Sequence, residues 1–447
     1  MKEVIIVHAV DTEGPLHETL DNKFDRINDL FGINHIKRTT ENLNKLLQGK
    51  IKLGNGIEKK IIEIFSSHLA DYNNDWSRID KMMSEINSDK FRKKYVDSFG
   101  SGWKFTWHCL DHVNYKDNPR RRTMGNHAIF DYYNTCVNEF KKYRDSIQWH
   151  FHPMSTYNDA HRCATSYFRS GEIYEILSRK IIERNFFPSA FRAGFQAERP
   201  DSNWFLEQFI PFDITNMAIK NKKHFDRYTD FKNGRSGNWR NAPYDWSIYH
   251  PDHDDYQLEG NCRRWIGRAL NIMNRIASID QYEMDVAFKR AQKENKSILV
   301  GVTSHDFRNL VYEVNHVYDF IKRSSEKYKD VKIRFLNVED GFRKAIYKKN
   351  IDNKNKIKLD LKLKLKSKGD YPNLIVKAKK GNVFGPQPFL AIETRSRRFL
   401  YDNLDFVDKK TWAYAFHPDT LPLDDVKSIG VAANDKYGNT SVIVHKF

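Results

Sequence analysis

The chain has 447 residues, with 75 Lys or Arg against 58 Asp or Glu, a formal charge of +17, 40% hydrophobic residues and 30% charged residues. Such a chain is long enough for two or three domains and too apolar for wholesale disorder, and no run approaches the roughly 18 apolar residues of a membrane span. The start of the chain, where an apolar run at 4–7 is followed by acidic residues, does not read as a secretory signal. Four separated cysteines (Cys109, Cys136, Cys163, Cys262) offer neither a CxxC motif nor a disulfide framework. The expected location is the cytoplasm, with the thiols reduced and serving as core filler.

Taken in chain order, the first strand spans 3–10 and runs into the tetrad Asp11-Thr12-Glu13-Gly14. Apolar residues three and four apart make 42–95 helical, as with Ile57, Ile61 and Ile64, then Ile79, Met82, Met83 and Ile86. Strands are expected at 104–110 and 147–151, with a helix at 127–143 between them. A helix at 171–184, a strand at 189–192, a helix at 202–209 and a strand at 212–215 follow. The segment 220–262 is irregular and rich in Asn, Asp, Tyr and Trp. A helix at 280–294, a strand at 297–303, a helix at 310–327, a strand at 332–336 and a helix at 338–347 complete an alternation that indicates an α/β layout with a parallel sheet or barrel.

A polar, unpatterned stretch at 348–355 reads as a linker, and beyond it every run is strand-like: 357–365, 373–378, 389–393, 412–416, 428–433 and 440–444. Short strands at this density suggest a β-sandwich of the immunoglobulin-like kind. Two domains are expected, residues 1–349 and 356–447. Much of the positive charge is local, since between Arg343 and Lys380 there are fourteen Lys or Arg and three Asp. The alternation of Leu and Lys at 357–366 makes a strand with one buried face and one lysine face. Lysines there protect a sheet edge more readily than they define a polyanion site, so nucleic acid is not the expected partner.

Several polar clusters stand where strands of an α/β array end, the place where working groups gather in such folds. Asp11 and Glu13 lie two apart, as do His150 and His152, and alternate residues of a strand share a face. Two imidazoles and one carboxylate make a common ligand set for a catalytic divalent metal, which would leave the other carboxylate as a base.

Further segments resemble the polysaccharide deacetylases, the NodB-homology fold of carbohydrate esterase family 4. Val10-Asp11-Thr12-Glu13-Gly14 resembles the family's first motif, and Trp149-His150-Phe151-His152-Pro153 its metal-binding histidine motif in a His-x-His-Pro variant. Phe191-Arg192-Ala193-Gly194-Phe195, a helix and Phe212-Asp213-Ile214-Thr215 resemble its third motif. Val302-Thr303-Ser304-His305-Asp306 resembles the late strand that supplies a catalytic histidine. The likeness spans roughly 3–347, and the stretch 105–133 is similar to deacetylase-like proteins of bacterial surface-polysaccharide loci.

The resemblance implies a deformed (β/α) barrel carrying a metal-dependent hydrolase that removes an N-acyl group, most often N-acetyl, from an amino sugar or polysaccharide. It implies Asp11 as general base, Arg192 as the cation that holds Asp11 ionised, and His305 as general acid. Glu13, His150 and His152 would hold one divalent metal ion, zinc by analogy. The sequence departs from the family where Glu13 replaces the usual Asp and where the histidines stand two rather than four apart. The family's acidic, Trp-bearing fourth motif is matched loosely by Pro243-Tyr244-Asp245-Trp246. Asp245 is a candidate to orient His305, and Asp245 and Trp246 join the substrate-binding candidates. His108, Asp111 and His112 are a further cluster after the second strand, and Arg120, Arg121 and Arg122 could grip an anionic sugar or a diphosphate carrier. A barrel that binds glycan without catalysis is the alternative. The expected partner is carbohydrate in both readings.

Overall fold

The computed structural model describes residues 2–65, 67–112, 127–153, 166–221, 237–273, 277–347, 355–365 and 371–447. The chain opens with β1 (Glu3–Thr12), α1 (Leu20–Phe31), α2 (Thr40–Leu47), α3 (Ile57–Ile64), α4 (Ser67–Ala70), α5 (Trp76–Ile86) and α6 (Asp89–Lys94). It continues through β2 (Phe105–His112), α7 (Ala128–Glu139), β3 (Ser146–His152), α8 (Glu172–Arg184), β4 (Ala190–Ala193), α9 (Pro200–Phe209) and β5 (Phe212–Asn216). Then come β6 (Trp265–Asn271), α10 (Gln281–Glu294), β7 (Ser297–His305), α11 (Leu310–Lys327), β8 (Lys332–Leu336) and α12 (Val338–Ile346). Local chemistry sets many helix ends. Thr19, Asp75, Asp280 and Asn309 each accept a backbone N–H of the first turn they precede, and Gly32 closes α1 in the left-handed region at φ 70°.

β1 to β7 close into a parallel barrel, because β1 pairs with β7 along its length and with β2 through His8–Thr12. β8 lies beside the first half of β1, Glu3–Val7, outside the closure. The lumen at the barrel's lower end, where the strands begin, is filled by Ile5, Val7, Ala190, Phe212, Ile214 and Leu299. α12 plugs it from below. Phe342 stacks on Phe212 with ring centroids 4.8 Å apart and an interplanar angle of 7°. A Cβ on Gly341 would stand 2.4 Å from Val7 Cγ1, so only glycine lets the helix sit so close to the strands.

The strand β6 and the helix α1 do not stand among the sequence expectations. β6 hides because Gly267 interrupts its apolar run and Arg268 breaks the alternation. Both are forced by the packing: a Cβ on Gly267 would meet Phe342 Cζ at 2.7 Å, and buried Arg268 forms a two-pronged ion pair with Glu283 at 2.7 and 3.0 Å.

Beyond the barrel lie β9 (Lys358–Lys364), β10 (Asn373–Lys380), β11 (Phe389–Thr394), β12 (Phe399–Asp402), β13 (Asp405–Asp408), β14 (Thr411–Ala415), β15 (Val426–Asn434) and β16 (Thr440–Lys446). They form two four-stranded antiparallel sheets, β13-β14-β10-β9 and β12-β11-β15-β16. Leu359, Leu374, Val376 and Trp412 of one sheet share a core with Leu390, Ile392, Ile429 and Val431 of the other. β12 and β13 are additions to the expected strands, each four residues long. The lysines of β9 (Lys358, Lys362, Lys364) are exposed, as its alternation requires.

The second sheet also packs outward onto the barrel's helices. Phe389, Ala391 and Ala432 join Ile181, Ile182, Phe205 and Phe209 of α8 and α9 in one apolar cluster. Buried Asn434 donates to Pro188 O (2.7 Å) and Phe209 O (2.9 Å), and Arg343 donates to Tyr437 O (2.7 Å) and Gly438 O (2.8 Å). Most of the expected linker lies outside the described residues. Among the described residues, no helix is long and apolar enough to cross a membrane.

Candidate metal centre

In a parallel barrel every strand ends at the same rim, so alternate residues at the strand ends converge on the top of the lumen. Along β1 the apolar lumen residues Ile5, Val7 and Ala9 lead to Asp11 on the same face. Asp11 stands in register with His108 of β2 and His305 of β7, while His150 of β3 stands in register with Arg192 of β4. Asp11, Glu13, His150, His152 and Arg192 are all buried.

Asp11 and Arg192 form an ion pair with Nε 2.7 Å from Oδ1, and the guanidinium also donates to Ile214 O at 3.1 Å. Burial alone would raise the Asp11 carboxyl. The charge of Arg192, the largest opposing influence, together with its hydrogen bond to the carboxylate, outweighs burial and holds the group down at about 2, a carboxylate through the neutral range. His305 Nε2 lies 3.9 Å from both Asp11 Oδ2 and Glu13 Oε1.

Glu13, His150 and His152 each offer one ligand atom, and these atoms lie within 4.8 Å of one another. His150 Nε2 is 3.5 Å from Glu13 Oε1, His152 Nε2 is 3.7 Å from the same oxygen, and the two Nε2 atoms are 3.0 Å apart. Tetrahedral ligands at about 2.0 Å from a small divalent ion stand roughly 3.3 Å from one another, so the donors fit such an ion. His150 Nδ1 lies 3.0 Å from Arg192 O. That carbonyl can only accept, so Nδ1 carries the proton and Nε2 turns its lone pair to the cluster. One carboxylate and two imidazoles can thus hold a metal ion.

The surroundings fix these side chains. Asp306, next after His305, accepts from Glu13 N (2.9 Å), Gly14 N (2.8 Å) and Tyr133 Oη (2.9 Å), which pins the turn that carries Glu13. Gly14 makes that turn at φ 75°. After Arg192, Phe195 and Gln196 both take left-handed backbone at φ 51° and 52°. The turn is tied down by Gly237 N on Phe195 O (3.0 Å) and Trp239 Nε1 on Gln196 O (2.8 Å). It brings Gly194 under the ring of His152, where a Cβ would lie 2.4 Å from Cδ2. Such backbone persists only where surrounding structure holds it, and it gathers at functional sites. Asp306 carries no distinguishing sequence signal beyond its place beside His305. Tyr133 carries none.

The other candidates fall elsewhere. His108 does face the lumen, with Nδ1 3.3 Å from Trp149 O, and burial pushes its pKa down to about 3 so that it stays neutral. Asp111, grouped with it in the sequence, cannot share that face because residues three apart on a strand point to opposite sides. Its carboxylate instead meets Trp149 Nε1 (2.8 Å) and Lys180 Nζ of α8 (3.1 Å), in the layer outside the barrel. His112 ends β2 in register with His152, and its side chain lies outside the described residues, as do Arg120, Arg121 and Arg122. Asp245 pairs with Arg290 of α10 at 3.1 Å and accepts from Ser247 N, rather than orienting His305. Trp246 is buried beneath Arg268, 4.3 Å from its ring centroid to the guanidinium, and donates to Glu283 O. Both lie on the outer side of the barrel wall. Asp213 likewise faces outward, to Arg264.

No protein-family model and no curated protein matches this chain.

Proposed function

We propose that the chain is a metal-dependent carbohydrate N-deacetylase, with a deformed (β/α) barrel of the polysaccharide-deacetylase type, acting on an N-acylated amino sugar of a surface polysaccharide or its precursor. One observation supports this reading above the others: a carboxylate held ionised by a buried arginine stands beside, and apart from, a Glu-His-His ligand set. A divalent ion bound there, zinc by the resemblance, supplies a Lewis acid for the amide oxygen and the attacking water.

The chain's own groups divide the proton work. Asp11 takes a proton from the attacking water, and Arg192 keeps it ionised in a site where burial favours the neutral acid. His305, beside Asp11 on the neighbouring strand and less buried than the other members, delivers a proton to the leaving amine. His150 and His152 take no part in proton transfer in this scheme; His150 is held as a neutral ligand by Arg192 O.

The test is acetate release from a panel of N-acetylated amino sugars and oligosaccharides by the zinc-loaded protein. Asp11→Asn keeps the side-chain shape and is expected to retain metal while turnover falls by roughly 10²–10⁴. Normal turnover by Asp11→Asn, or a metal-loaded wild type that releases no acetate from any member of the panel, would overturn the reading.

A further inference from the structure

We infer a second ligand site, for an anionic pyranose, at the seam between the lower end of the barrel and the sandwich. It is lined by residues remote from Asp11 and does not rest on the metal chemistry above. A cavity of about 670 Å³ opens there, a size ordinary for small-ligand sites. Trp265, the first residue of β6, and Tyr347, which follows α12, line it from the barrel side, and Tyr437 from the β15–β16 turn lines it from the sandwich side, next to Tyr347.

The aromatic rings are held as plates. His250 packs on Trp265 with ring centroids 3.4 Å apart, and its Nδ1 lies 2.9 Å from Arg264 O. Tyr347 meets Tyr437 edge to face at 4.6 Å, with its hydroxyl donating to Lys436 O at 2.9 Å. Trp265, Tyr347 and Tyr437 are all partly exposed, so ring surface remains for a ligand.

The charge around the plates is unbalanced. Arg263, Lys410 and Lys436 line the cavity and are exposed, against the single carboxylate of Asp435. Asp435 is already committed. Its Oδ1 accepts from Tyr437 N (2.9 Å) and Asn439 N (3.0 Å), and its Oδ2 from Ile357 N (3.2 Å) and Asn439 Nδ2 (2.8 Å). Glu207, 3.4 Å from the Arg263 guanidinium, is also bound to the backbone N–H groups of Arg263 and Arg264.

Aromatic plates match the apolar C–H face of a sugar ring, and the cationic heads match a carboxylate or phosphate carried by it. Arg263 faces Glu207, and Lys410 donates to Gly381 O at 3.1 Å. Both heads and that of Lys436 are nonetheless exposed and keep further donors for an anion, which a neutral sugar would not use. A free inorganic anion would leave the plates uncovered. The shared chemistry is therefore an anionic pyranose, either a uronic acid or a sugar phosphate.

Titration calorimetry with tri-galacturonate and with glucose 6-phosphate distinguishes the two sources, with maltotriose as neutral control and uridine monophosphate as a stacking anion that lacks a pyranose. At least one anionic sugar is expected to bind and maltotriose to give no heat. The double variant Lys410→Gln/Lys436→Gln, altered only at exposed positions, is expected to bind about tenfold more weakly. Lys362→Gln/Lys364→Gln on the exposed face of β9 should leave affinity within about twofold, because those lysines lie outside the cavity. Absence of binding by both anionic sugars, undiminished binding by the Lys410/Lys436 variant, equal loss in the β9 variant, or tighter binding of uridine monophosphate than of either sugar would each overturn the assignment.

Discussion

At the lower end of the barrel Ile5, Val7, Phe212, Ile214 and Leu299 close on Phe342; at the upper end of the same strands Asp11, His150, Arg192 and His305 crowd around Glu13 and His152. The first end is what folding favours, since apolar area leaves water at a gain of about 25 cal/mol per Å². The second works against folding. Burying an ion pair costs several kcal/mol of desolvation per charge, and well-packed apolar residues in its place are often as stable or more so. A fold that carries both ends on one set of strands uses the lower for stability and, on the function proposed above, keeps the upper for chemistry.

The largest expected effect comes from splitting the buried pair. Arg192→Met leaves Asp11 buried without its cation and should cost about 3–5 kcal/mol of stability by denaturant titration. Asp11→Asn combined with it should recover most of that loss. A loss under about 1 kcal/mol in the single variant would show that Asp11 is not held as a charge. At the other end, Phe342→Ala should cost about 3–4 kcal/mol through the cavity it opens, with metal affinity unchanged. Lost metal binding in a folded Phe342→Ala protein would mean the two ends are not separable.

Glu313 of α11 sharpens the contrast. It is fully buried, and burial raises its carboxyl to about 7 against the opposing charge of Arg308. Its folded pKa lies above its unfolded one, so its contribution to stability is complete below about 4.5 and is lost as pH rises through about 7. Asp11 has the opposite sign: its contribution is present above the ordinary carboxyl range and is lost as pH falls toward about 2. Glu313→Gln should therefore remove about 2–3 kcal/mol of the stability decline between pH 5 and pH 8. An unchanged pH slope would contradict this. The smallest effect is expected at Gly194→Ala, where the added methyl displaces the His152 ring and should weaken metal binding by about 10–100-fold. Wild-type affinity there would place His152 outside the ligand set.

What the sequence made legible follows from periodicity. β1, β3 and β7 are short apolar runs; the two-residue spacing puts His150 and His152 on one face of β3, while Glu13, one residue past the end of β1, joins them from the turn. The same rule, applied to β2, separates His108 from Asp111, which grouping by proximity had joined. β6 stayed hidden because Gly267 and Arg268 answer to Phe342 and Glu283, residues far along the chain. Asp245 and Trp246 sit in an acidic, Trp-bearing loop, yet Arg290 and Arg268 hold them on the outer side of the wall. Composition carries no record of such partners.

The central claim, that the upper end of the barrel is a metal centre, is tested most directly by metal analysis of the purified protein beside His150→Ala and His152→Ala. The wild type should hold about one divalent ion per chain and each variant almost none, with both variants still folded by circular dichroism. Full metal occupancy in both variants would contradict it.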